Sequence, residues 1–86
     1  MQRPEKITRA LENLGDDEEV MLADGFEGAF VGIARHFGIP FAVYNRKKCI
    51  VSLVMQGMSH VEAEEYFQFN VESAWVGENT PAFLET

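Results

Sequence analysis

Cys49, His36 and His60 are the residues of this chain that nucleophilic chemistry would need, a thiol and two imidazoles able to take its proton. Cys49, however, stands beside Ile50 and Leu53 on a stripe of helical spacing, where a buried and inert thiol is expected. Two histidines and one cysteine so arranged share no ligand-type spacing, so no metal site is expected. Glu62, Glu64, Glu65, Glu72 and Glu78 could host acid–base work. Paired carboxylates of that kind flank a cleft, and an 86-residue chain offers little concavity for one. A solvated helix face is the expectation. Gly25, Gly28 and Gly32 match neither phosphate-cradling spacing, and no Lys-Ser/Thr pair follows them. No catalytic residue and no cofactor is assigned, and the chain is read as non-enzymatic.

Two sets of residues could instead bind. Glu62, Glu65, Phe69, Glu72 and Val76 are separated by 3, 4, 3 and 4 residues, which puts them on one stripe of a helix. An aromatic side chain between carboxylates resembles a protein-binding patch, an apolar anchor with a charged rim. The competing reading is that the N-terminal helix or a dimer mate covers Phe69. Arg46, Lys47 and Lys48 form the second set, at the first turn of a helix, where cations oppose the helix dipole. An anion bound there would relieve the conflict. The favoured expectation is that the three charges extend into water or pair with Glu18 or Glu19, while the set remains the best nucleic-acid candidate in the chain.

Charge separates the two sets. Fourteen Asp and Glu against seven Lys and Arg leave a net charge of −7. Binding nucleic acid directly needs clustered cations, so this balance favours solubility or a basic partner such as another protein's nucleic-acid groove. The apolar fraction of 47% supports one small core and a single domain over residues 1–86. A domain of this size is marginal alone, which makes a homodimer or a partner-bound state plausible. One cysteine excludes an internal disulfide framework and suits a reducing, cytoplasmic setting. No run of about 18 apolar residues is present, so no membrane span is expected. The stretch from Met1 to Lys6 lacks the apolar core of a secretory leader.

The elements that must position these residues are legible from periodicity. Ile7, Ala10, Leu11 and Leu14 mark one face of an amphipathic helix over 4–15, with Pro4 in its first turn and Gly15 closing it. Asp16 to Glu19 reads as a solvated linker into an α+β core over 20–86. Val20–Leu22 reads as a short strand. Ala29–Arg35 reads as a second, with Val31 and Ile33 on one face and Phe30 on the other, and Phe41–Tyr44 returns after a turn at His36–Pro40. Asn45 caps a helix ending near Gln56, Gly57 terminates it, and Ser59 with Glu62 forms a capping box for another reaching Trp75. That αα-hairpin carries Ala63, Phe67, Asn70, Val71 and Ala74 on its core face. Trp75 is expected to be buried, and Asn70 to be buried and hydrogen-bonded to the Gly77–Thr80 loop. Ala82–Leu84 returns as an edge strand. The fold class is α+β, a short antiparallel sheet of three or four strands packed on the αα-hairpin, plus the N-terminal helix.

The segments Asp24-Gly25-Phe26, Ala29 to Ile33, Gly57-Met58-Ser59 and above all Tyr66-Phe67-x-Phe69-Asn70-Val71-x-x-Ala74-Trp75-Val76-Gly77-Glu78 resemble a widespread family of small bacteriophage proteins. The resemblance spans roughly Val20 to Leu84 and leaves out the N-terminal helix. Where relatives tend to carry an acidic residue after the tyrosine, this chain has Asn45. The resemblance implies a phage setting and the cytoplasm of a bacterial host, and it transfers no catalytic residues. Combined with the charge, it suggests an interaction protein that binds a host protein, for instance a nucleic-acid-binding defence complex, as anti-CRISPR proteins and other DNA mimics do. The alternative is a small nucleic-acid-binding accessory protein using Arg46, Lys47 and Lys48.

Overall fold

The computed structural model describes residues 4–86. Met1, Gln2 and Arg3, part of the stretch read above as lacking a leader's apolar core, lie outside them. The N-terminal helix α1 spans Glu5–Glu12 behind Pro4, and Glu5 and Arg9 pair one turn apart at 2.6 Å. It buries Ile7 and rests Ala10 and Leu11 on the core. The helix stops short of Gly15, because the Gly15 N–H is taken by Glu18 at 2.8 Å and draws the chain into a turn. The acidic linker is therefore tied down. Glu18 also receives two bonds from Arg35, at 2.5 and 2.7 Å.

Arg35 and the Gly15 N–H hold the Glu18 carboxyl down at about 2, against a usual 4.5. A depressed carboxylate stabilises the fold above its unfolded value and loses that contribution as pH falls through its folded value. The contribution of this contact should thus be complete above about pH 4.5 and fade toward pH 2. Arg35→Gln should remove most of this segment of the acid sensitivity. Thermal melts of the two proteins, apart at neutral pH, are expected to converge at the acid end.

Strands β1 (Phe30–His36) and β2 (Ile39–Asn45) form an antiparallel hairpin, and β3 (Ala82–Leu84) lies parallel beside β2. The sheet is thus mixed, in the order β1-β2-β3. The reason is the connection: a chain that leaves β2 through two helices crosses over and returns in the same direction. Val20–Leu22, expected as a strand, runs as a loop. Its segment is held without strand pairing, by Met21 N–H on the Asn79 carbonyl and Ala23 N–H on the Tyr44 hydroxyl, the latter at 2.8 Å.

Register sorts the strand residues. Phe30, Ile33, Ala42, Tyr44 and Phe83 face the helices. A bulge between Phe30 and Gly32 shifts the alternation by one, so Phe30 and Ile33 share the core face and Val31 is exposed, against the expected pairing of Val31 with Ile33. The opposite face carries Gly32, Ala34 and His36 from β1, Ile39, Phe41, Val43 and Asn45 from β2, and Ala82 and Leu84 from β3. Pro40 is tolerated in the central strand because β3 pairs only from Val43 onward, and its carbonyl accepts from the Asn79 amide at 2.9 Å.

Helices α2 (Arg46–Met55) and α3 (His60–Phe67) form the αα-hairpin. Asn45 accepts from Lys48 N–H at 2.9 Å to start α2, and Gly57, at φ 111°, reverses the chain after it. Ser59 and Glu62 make the reciprocal capping box at 3.1 Å in each direction. Ser59→Ala should cost about 1 kcal/mol, read as a lower denaturant midpoint at unchanged slope. The core closes between hairpin and sheet, where Phe67 meets Phe26 and Phe83 edge-on at 5.9 and 4.9 Å and Phe30 meets Tyr44 at 5.6 Å.

Candidate functional site

The five-residue stripe proposed for partner binding begins as expected and then breaks. Glu62, Glu65 and Phe69 are exposed, and Phe69 is 74% so; α1 does not cover it. From Gln68 to Glu72, however, the helix opens into a π-helical turn. An α-helix advances about 100° per residue and a π turn advances less, so five residues accumulate a lag on the order of a quarter turn. Glu72 consequently rotates off the Phe69 stripe and into line with Glu64. Both carboxylates meet Arg46: Glu72 at 2.8 Å and Glu64 at 3.2 Å. The helical stretch ends at Ser73, which donates to the Gln68 carbonyl at 2.6 Å, so Val76 lies beyond it, exposed on the following loop.

The same change of winding overturns two other expectations. Asn70 is exposed and donates to the Tyr66 carbonyl of its own helix at 3.1 Å, far from any role in the Gly77–Thr80 loop. Thr80 holds that loop instead, accepting from Val76 N–H at 2.9 Å and donating to the Gly77 carbonyl at 2.6 Å. Trp75 is 73% exposed rather than buried, because the helix that would have carried it to the core stops two residues earlier. Ala74 is exposed with it, and only Ala63, Phe67 and partly Val71 remain on the core face.

Arg46 is held by carboxylates of its own chain, although it borders one cleft together with Lys47. Its side chain is 17% exposed and lies over the Phe67 ring, 5.5 Å from the centroid. The two carboxylates push its pKa further up, Glu72 first. With Nε and Nη2 already given to two carboxylates, Arg46 is poorly placed to hold an external phosphate. Lys47 and Lys48 remain exposed, and both border a shallow cleft beside Val51 and Met55. Cys49 is fully buried, and burial raises its thiol to about 11. That is the opposite of an activated nucleophile. Among the described residues no group of three His, Cys, Asp or Glu could hold a metal ion.

A cleft of about 580 Å³ that sequence reasoning missed lies between the β1–β2 turn and the loop entering β3. Phe37, Phe41, Trp75 and Pro81 line it together with Glu72 and Glu78. Phe37 is 91% exposed, and its ring lies 4.5 Å from that of His36, centroid to centroid. It also has φ 53°, followed by Gly38 at φ 77°, the mirror-image two-residue turn that normally takes Asn-Gly. A phenylalanine there costs both backbone strain and exposed apolar area. Its signal in the sequence is Phe37-Gly38 between two strands whose alternation leaves only two residues for the turn.

The three described arginines, Arg9, Arg35 and Arg46, are all spent in ion pairs within the chain. Asp16, Asp17, Glu19, Glu65 and Glu78 have no such partner among the described residues. The arrangement can therefore offer aromatic anchors and unpaired carboxylates to a ligand. No helix among the described residues is long and apolar enough to cross a membrane. No protein-family model, curated protein or solved structure matches the chain.

Proposed function

We propose that this is a non-enzymatic interaction protein, encoded by a phage and acting in the bacterial cytoplasm, that binds a host protein at that protein's basic surface and inhibits or redirects it. The observation that carries the reading is Phe69, 74% exposed on the π turn beside the unpaired carboxylate of Glu65. An exposed aromatic anchor with an acidic rim suits a partner that presents an apolar pocket among Lys and Arg. The net charge of −7 supports the same direction, since it leaves the outward field acidic. A nucleic-acid-binding defence complex, blocked as anti-CRISPR proteins block theirs, is the partner class that fits. The phage setting rests on the family resemblance alone.

The test is affinity capture from the host bacterium followed by gel-shift assays with duplex DNA. The retained protein should be a nucleic-acid binder released by moderate salt, because surface charge attraction is screened. The chain itself should not shift DNA. A DNA shift that Lys47→Glu with Lys48→Glu abolishes would replace this reading with the accessory-protein one.

A further inference from the structure

Among the described residues, helices cover only one face of the sheet. On the other, Gly32 and Ala34 of β1 form a low track beside the ridge of Phe41 and Val43 of β2, with Ala82 and Leu84 beyond. The resulting trough encloses about 430 Å³. A Cβ built on Gly32 would meet no atom within 4 Å, so among the described residues the track is open at Gly32. Apolar sheet faces are ordinarily covered by helices or by a second sheet. Phe41 and Ala82 also line the Phe37–Trp75 cleft, which extends the apolar surface to two more aromatics.

From this face we infer that the protein forms a two-fold homodimer, the bare sheet faces of two copies packed against each other. Charge on this face admits a second copy and gives a basic partner nothing to hold. Two chains of net charge −7 repel one another generally, yet no Asp, Glu, Lys or Arg lies among the strand residues of this face. A basic partner would be drawn to the carboxylate surface instead. Relief points the same way. A two-fold axis in the plane of contact sets the Phe41–Val43 ridge of each copy over the Gly32–Ala34 track of the other, as an isologous interface requires. The overlap is modest, two strands about 4.8 Å apart with the exposed Phe37 at their end, at the small end of the range for interfaces, so the association is concentration-dependent. The Phe69 surface is not part of this face, so the dimer stands whether or not the proposed function does.

Sedimentation equilibrium of the full chain tests the inference. At a concentration of about 100 µM the mass should be twice that of one chain, and association should tighten with added salt as repulsion between like-charged copies is screened. This is opposite to the salt response expected of the basic host partner. Gly32→Lys places a charge where a single chain has room for it, so the circular dichroism should be unchanged while the dissociation constant rises at least tenfold. Ala34→Lys, further along the track, repeats the test should the first variant fold poorly. Val51→Lys, on the exposed side of α2, should leave the dimer unaltered. A single-chain mass at that concentration, or a dimer that folded Gly32→Lys or Ala34→Lys leaves intact, overturns the inference. A dimer dissolved by Phe69→Ala but not by the track variants overturns it as well.

Discussion

Phe67→Ala is expected to remove about 4 kcal/mol of stability, a large share of what a domain of this size possesses. Phe67 has no exposed surface and is the point at which four elements meet. Its ring sits edge-on to Phe26 from the loop before β1 and to Phe83 of β3, while Arg46 of α2 covers it from outside. Deleting it removes both aromatic pairs and leaves a cavity that α3, fixed at its start by the capping box, cannot collapse to fill. The urea midpoint should fall accordingly. Phe67→Leu, which keeps most of the volume, should recover more than half of the loss. A midpoint for the alanine variant near that of the parent would mean that the hairpin does not pack on the sheet as described.

Arg46→Ala should cost about 2 kcal/mol, a drop in melting temperature of about 8–16 °C for a small domain. The figure stays moderate because Glu64 and Glu72 keep partial access to water. What is lost is a fork-shaped bridge between the start of α2 and the end of the π turn, together with cover over Phe67. Arg46→Lys keeps the charge but cannot reproduce two directed bonds to Glu72, and should recover less than half. An unchanged melting temperature in the alanine variant would place Arg46 in solvent and reopen its availability to an external anion.

These two residues also mark where the sequence is readable. Phe67 follows Ala63 by one turn inside a helix whose start is written locally in Ser59 and Glu62, so its burial follows from short-range spacing. The caps at Asn45 and Ser59, the reversal at Gly57 and the burial of Cys49 are legible for the same reason. The α+β class follows from the order of these elements. Beyond Phe67 the reading fails as one piece. Extrapolating a constant α-helical phase through Gln68–Glu72 misplaces Asn70, Glu72, Ala74 and Trp75 together, and nothing local announces the wider turn. The bulge at Val31 works likewise, one extra residue reversing a face. Arg46 and Arg35 find their carboxylates 26 and 17 residues away, which periodicity cannot report. The Phe37–Trp75 cleft joins segments of the chain that only the closed sheet brings together.

The central claim is that an acidic, aromatic surface on α3 and its π turn engages a basic partner. The most direct measurement compares capture of that partner by two double variants at matched thermal stability. Phe69→Ala with Glu65→Lys removes the anchor and turns attraction into repulsion, and is expected to abolish capture. Lys47→Glu with Lys48→Glu alters charge without touching the Arg46 bridge, and is expected to leave capture unchanged or stronger. Capture that survives the first pair and disappears with the second would contradict the account.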